Sequence, residues 1–134
     1  MREADRIEIS AMRHSLKPDE LAQLCVSESR FGFVIGNGEP IAAFGAIEKW
    51  PGRYNAWMFA TDKWPAIALS ATKQVKKKTI PDMIAAGLKL GFCFTHSAHL
   101  VAHRWLKSIG FTEDAELPIW GRNGEPFKLM VWRQ

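Results

Sequence analysis

The segment Gly36-Asn37-Gly38 separates two apolar runs, Phe31-Gly32-Phe33-Val34-Ile35 and Glu39-Pro40-Ile41-Ala42-Ala43-Phe44-Gly45-Ala46-Ile47. No other feature constrains the fold as much. Asn-Gly tolerates the positive φ of tight hairpin turns, so the flanking runs pair as antiparallel strands. A purely helical fold is thereby excluded.

The rest of the chain extends this sheet. Asn55-Ala56-Trp57-Met58-Phe59-Ala60-Thr61 is a third apolar run, closed by Asp62, whose carboxylate can cap a following helix. Helical composition runs from Trp64-Pro65 to Lys78, and Pro81 breaks or restarts a helix that continues to about Ala86. Leu90 to Thr95 reads as a strand, and Ser97 caps a helix from Ala98 to Ile109 with Gly110 as its left-handed stop. Leu117 to Gly121 and Phe127 to Trp132 flank a second turn at Asn123-Gly124. Near the start, the alternation in Arg6 to Met12 predicts a strand, and Pro18 to Cys25 a helix. The order β-α-β-β-β-α-β-α-β-β predicts an α/β (α+β) fold, a mixed, mostly antiparallel sheet of about six to seven strands covered by about three to four helices.

At 134 residues without repeat or linker, residues 1–134 make one domain. A 47% hydrophobic and 24% charged composition excludes disorder. No run approaches the roughly 20 apolar residues of a membrane span, and Met1 to Arg6 lacks the apolar core of a signal peptide. The expectation is a soluble protein with no membrane partner. Cys25 and Cys93 lie far apart in apolar surroundings and read as buried thiols. The formal charge of +4 favours an anionic partner of some kind.

That order, together with Ala102-His103-Arg104-Trp105-Leu106-Lys107-Ser108-Ile109-Gly110-Phe111, resembles the GCN5-related N-acetyltransferase superfamily, whose fourth helix ends in an aromatic-Leu/Tyr-x-x-Leu/Ile-Gly-Phe run. More narrowly, Trp57 to Asp62, the Lys-rich helix and Arg104 to Gly110 resemble a branch encoded by short-tailed phages, described as acetyltransferase-like or internal virion proteins. The resemblance implies that acetyl-CoA lies between the strands Asn55 to Thr61 and Leu90 to Thr95, against Phe59, Ala60, Thr61, Lys63 and Phe94. It also implies a glycine-rich loop whose amides hold the pyrophosphate at a helix start. The equivalent stretch here, Asp62 to Ala68, has no glycine, an anionic Asp62, a bulky Trp64, and a proline that deletes one donor.

Counting back from Phe111 puts Leu106 where many members carry the Tyr that protonates the departing thiolate, and leucine donates no proton. Glu48, just beyond a strand, is the candidate general base. The leading expectation is therefore a phage or prophage protein on this fold, catalytically degenerate, acting as a virion or assembly component through contacts with other phage proteins in the host cytoplasm or the virion. The alternative is an acetyl-CoA-dependent N-acetyltransferase acting on a small amine or a protein lysine.

Three further constellations carry their own readings. His96, His99 and His103 fall within roughly 60° of one another on a helical wheel. They read as a polar helix face, opposite a buried side of Ala98, Val101, Ala102, Trp105 and Ile109, rather than as a metal site. Lys73, Lys76 and Lys77 share a helix face that can meet an anionic partner, non-specific nucleic acid included. Trp50 and Trp120 lie beside turns, where exposed aromatics anchor protein contacts.

Overall fold

The computed structural model describes residues 2–12, 31–36 and 40–134. Within them the chain runs α1 (Glu3–Met12), β1 (Phe31–Gly36), β2 (Pro40–Trp50), β3 (Arg53–Ala60), α2 (Trp64–Gln74), a π-helical turn (Val75–Thr79), α3 (Ile80–Ala85), β4 (Leu90–His96), α4 (Leu100–Ser108), β5 (Thr112–Leu117) and β6 (Phe127–Arg133). The expected helix at Pro18 to Cys25 and the turn residues Asn37 and Gly38 lie outside the described residues.

Six strands form one mixed sheet in the order β1-β2-β3-β4-β6-β5. The first hairpin pairs as expected, from Phe31 opposite Ala46 to Ile35 opposite Ala42. All neighbours are antiparallel except β3 and β4, which run parallel and are joined through α2, the π turn and α3. A parallel pair needs such a crossover, and the crossover helices cover the sheet face they pass.

The core follows from that covering. Phe44 and Ala42 of β2 pack with Trp64, Ile67 and Ala71 of α2. Cys93 of β4 and Met130 of β6 meet Leu106 and Ile109 of α4. Tyr54 of β3 and Ala46 of β2 close against Met83 and Leu88 after the π turn. Pro81 removes one amide from the first turn of α3, and the wider π turn before it lets the helical path continue.

Four local expectations are corrected. Residues Arg6 to Met12 belong to helix α1, whose first turn carries Glu3 and Asp5 at the end that favours acids. Asp62 does not cap α2; Lys63 holds that position with no side-chain cap. Ser97 does not cap α4, which starts after His99. Only Leu117 of the expected strand Leu117 to Gly121 is extended, and the strand is Thr112–Leu117. Gly110 takes φ +106 after α4, as its place as a helix stop requires.

Candidate functional site

Strands β3 and β4 pair only from Arg53 opposite Leu90 to Asn55 opposite Phe92. Beyond that point β3 stays with β2 as far as Ala60, while β4 stays with β6 as far as His96. Ala56–Ala60 and Cys93–His96 therefore diverge, and the sheet opens into a wedge. The backbone groups freed where the ladder stops need other partners.

Part of the gap is filled from α1. The amide of Arg2 donates to the carbonyl of Ala60 (2.7 Å), and the amide of Ala60 donates to Asp5 Oδ2 (2.9 Å). Arg2 grips the same carboxylate with Nε and Nη2, each at 3.0 Å. His99 donates Nε2–H to Asp5 Oδ1 at 2.8 Å. Asp5 and His99 are 4% and 5% exposed, so the carboxylate is buried yet paired on both oxygens. Burial alone would raise the Asp5 carboxyl; the hydrogen bonds from His99 and Arg2, the Arg2 charge and the Ala60 amide outweigh it and hold it below its usual range.

Below this cluster lies a cavity of about 150 Å³ where the three core groups meet. Phe44, Ala56, Met58, Val75, Cys93 and Leu106 form much of its wall, and Arg2, Asp5, His99 and Thr95 also line it. The hydroxyl of Thr95, on a residue 4% exposed, has no hydrogen-bond partner among the described residues. A buried hydroxyl normally finds one, so this hydroxyl has an unused capacity to donate into the cavity. Because Ala60 turns both its amide and its carbonyl into the gap, the period-two alternation turns those of Met58 the same way.

The expected site residues distribute unevenly over this geometry. Ala60 and Phe94 border the wedge, and Phe94 also stacks on Trp120 at 5.0 Å. Phe59 lies on the other sheet face beside Trp57 (5.3 Å). Thr61 continues from β3, its Oγ1 accepting the amide of Lys63, which is exposed. Glu48 sits at the far end of the sheet, where Oε2 accepts the amide of Gly52 at 3.2 Å in the β2–β3 turn. Lys73, Lys76 and Lys77 are exposed on the covering helices. Leu106 is buried in the cavity wall.

The α2 start offers no phosphate cradle. Trp64 donates its amide to Thr61, Ala66 donates to Lys63, and Pro65 has none. Trp64 itself is core, at 5.8 Å from Phe44 and edge-on to Trp105 at 5.4 Å.

The histidine face is inverted relative to expectation. His99 and His103 are buried, whereas Ala98 and Val101 are exposed. His103 Nε2 donates to the carbonyl of His96, and His96 Nδ1 accepts the amide of Ala98. Among the described residues no group of three His, Cys, Asp or Glu side chains is placed to hold a metal ion. Cys93 is buried, as expected.

Asp5 and Thr95 are residues of the wedge and its cavity that the sequence alone does not single out. Asp5 gives no signal, since its partners lie as far as 94 residues away. Thr95 gives one: it continues the alternation of Gly91 and Cys93 on the covered face of β4.

No described helix is long and apolar enough to cross a membrane. No protein-family model matches the chain, and no curated protein matches it by sequence. Solved structures do. Ard1 from Thermoplasma volcanium superposes with a TM-score of 0.75 at 10% identity, over 96% of this chain and 87% of that one. The aminoglycoside acetyltransferase AAC(6')-Ib, with ribostamycin and coenzyme A, gives 0.65 at 18% identity over 99% and 83%. A variant of the spermidine N-acetyltransferase SpeG from Vibrio cholerae gives 0.63 at 14% over 90% and 76%. With its parallel pair parted midway in an otherwise antiparallel sheet, the chain has the fold of the GCN5-related N-acetyltransferases.

Proposed function

We propose that the protein is an acyl-CoA-dependent N-acyltransferase acting on a small amine or a protein lysine. The observation that carries this reading is the wedge between β3 and β4, which opens onto a largely apolar cavity holding a hydroxyl with no hydrogen-bond partner among the described residues. The donor set suits the acyl end of the cofactor, which brings the acyl group as an activated thioester. The pyrophosphate has no amide cradle at α2, where the cationic residues are Lys63 at the N-cap position and Arg2, 5.6 Å from the Trp64 ring centroid. The likeness to transferases that act on spermidine and on an aminoglycoside supports the reading over a degenerate scaffold, by fold.

The chain's own groups then divide the work. Met58 directs a backbone amide into the wedge, where a carbonyl oxygen gaining negative charge is best held. His99 lines the cavity, and with its Nε2–H held by Asp5 the neutral ring presents Nδ1 as its proton-accepting nitrogen. Leu106 has no proton to donate, so this position would supply none to a leaving thiolate.

Calorimetric titration with acetyl-CoA, with desulfo-CoA as a control, tests binding; thiol release in the presence of spermidine, an aminoglycoside or a lysine peptide tests transfer. Micromolar one-to-one binding with release that falls at least tenfold in His99→Gln is expected. Absence of heat at millimolar cofactor overturns the reading.

One observation favours a virion or assembly component instead. Trp50, Phe92, Phe94 and Trp120 form a continuous aromatic row at 6.2, 6.1 and 5.0 Å, ending beside Ile119, which is 85% exposed. Such a row suits a protein contact. Wild-type binding to phage structural proteins, lost in Trp120→Ala while acetyl-CoA gives no heat, would establish it.

A further inference from the structure

The cavity is larger than an acetyl group requires, a mismatch that bears on substrate choice only if the protein is an acyltransferase as proposed above. A void of about 150 Å³ lined by aliphatic and aromatic side chains stays dry and holds a benzene-sized guest. The cavity here has that volume and that character along most of its wall. Its groups are also sorted by polarity. Arg2, Asp5, His99 and Thr95 lie toward the open ends of β3 and β4, whereas Ile80, Met83 and Leu88 lie toward the closed end, behind Tyr54. Leu106 adds apolar wall between them.

A molecule matching this sorting has a single acceptor near Thr95 and a short apolar tail beyond it. We propose that the site selects an acyl chain of about four to six carbons, with its tail among Val75, Ile80 and Met83 and its thioester carbonyl accepting the hydroxyl of Thr95. An acetyl group would leave most of the cavity empty, and an empty apolar cavity forgoes contacts its walls could make.

Calorimetric titration of the whole chain with CoA, acetyl-CoA, butyryl-CoA, hexanoyl-CoA and decanoyl-CoA tests this. Burial of a methylene strengthens binding roughly fourfold, so butyryl-CoA, longer by two, should bind about fifteenfold tighter than acetyl-CoA, with a maximum by hexanoyl-CoA and a fall at decanoyl-CoA. If acetyl-CoA binds and butyryl-CoA binds no tighter, this inference falls and the acyltransferase reading stands. If none of the five binds, both fall. Ala56→Leu, filling the cavity from β3, should reverse the order so that acetyl-CoA binds tighter than butyryl-CoA; an unchanged order in a variant that melts cooperatively counts against the site. Thr95→Val should weaken butyryl-CoA several-fold and leave its carbonyl-free thioether, S-butyl-CoA, unchanged. Equal losses for both ligands would remove Thr95 from the role.

Discussion

The two ends of the β3–β4 pair are built from one pair of strands and held by opposite physics. At the closed end Arg53 to Asn55 bond to Leu90 to Phe92, and Tyr54, fully buried, packs with Met83 and Leu88. At the open end the ladder is missing, and a buried carboxylate does the joining: Asp5 links α1 to the amide of Ala60 on β3 and to His99 before α4. Apolar packing closes any gap it is given. A fixed ionic cluster can span one without filling it, which is how a cavity survives inside an otherwise dense core.

Breaking the closed end should cost most. Tyr54→Ala removes a fully buried ring and is expected to destabilise by about 4 kcal/mol, read as a lower urea midpoint. Next comes the open end. Asp5→Ala leaves a partly buried guanidinium, a buried imidazole and the Ala60 amide without their acceptor, at a cost of about 3 kcal/mol. The comparison sharpens if the two losses are independent: a double variant should lose close to their sum, because the two residues sit on different elements at opposite ends of the cavity. A strongly sub-additive loss would mean that the ends fold as one unit.

The closed end is also the more legible of the two. Its strands are apolar runs bounded by turn residues, and such runs announce themselves: the β1–β2 hairpin, Asn55 to Thr61 and Leu90 to Thr95 all lie close to where the sequence puts them. The open end is assembled from residues distant in sequence, so nothing local marks it. Arg6 to Met12 alternates over a stretch too short to separate a period of two from a helix, and taking it for a strand hides the role of Asp5. The polarity of histidine points His99 and His103 toward solvent, yet each has found a buried partner, and the buried stripe of α4 runs through them to Leu106 and Ile109. Thr112–Leu117 is hidden for a different reason. As an edge strand it needs no apolar alternation, and it is written in charges that pair with the next strand, Glu113 with Lys128 and Asp114 with Arg133.

Acid should act on the open end and leave the closed end alone. Burial, with Lys128 and His99 nearby, lowers His103 from its ordinary 6.5 despite its bond to the His96 carbonyl. The fold therefore favours the neutral ring, and stability declines as the pH falls from 6.5 through the lower folded value. Asp5 adds a second step: its folded carboxyl lies below 3.8, so its contribution is complete above that pH and is lost as the pH falls through the folded value. Urea titrations from pH 8 to pH 3 should show both declines in the wild type. Asp5→Asn should keep the first and lose the second. A variant retaining the second step would assign it to other carboxylates and detach the open end from acid sensitivity.

The smallest effect separates stability from function most cleanly. Thr95 carries a desolvated hydroxyl with no partner among the described residues, so the folded protein bears the cost of burying it and recovers nothing until a ligand arrives. Valine has nearly the same shape. Thr95→Val should therefore raise stability by about 1 kcal/mol in the absence of ligand, opposite in sign to the two disruptive substitutions above. Gain of stability together with loss of affinity for a carbonyl-bearing acyl-CoA is the signature of a group held unsatisfied for binding. A loss of stability would mean that the hydroxyl is already bonded within the fold, and the open end would then be a packing defect bridged by Asp5 rather than a site.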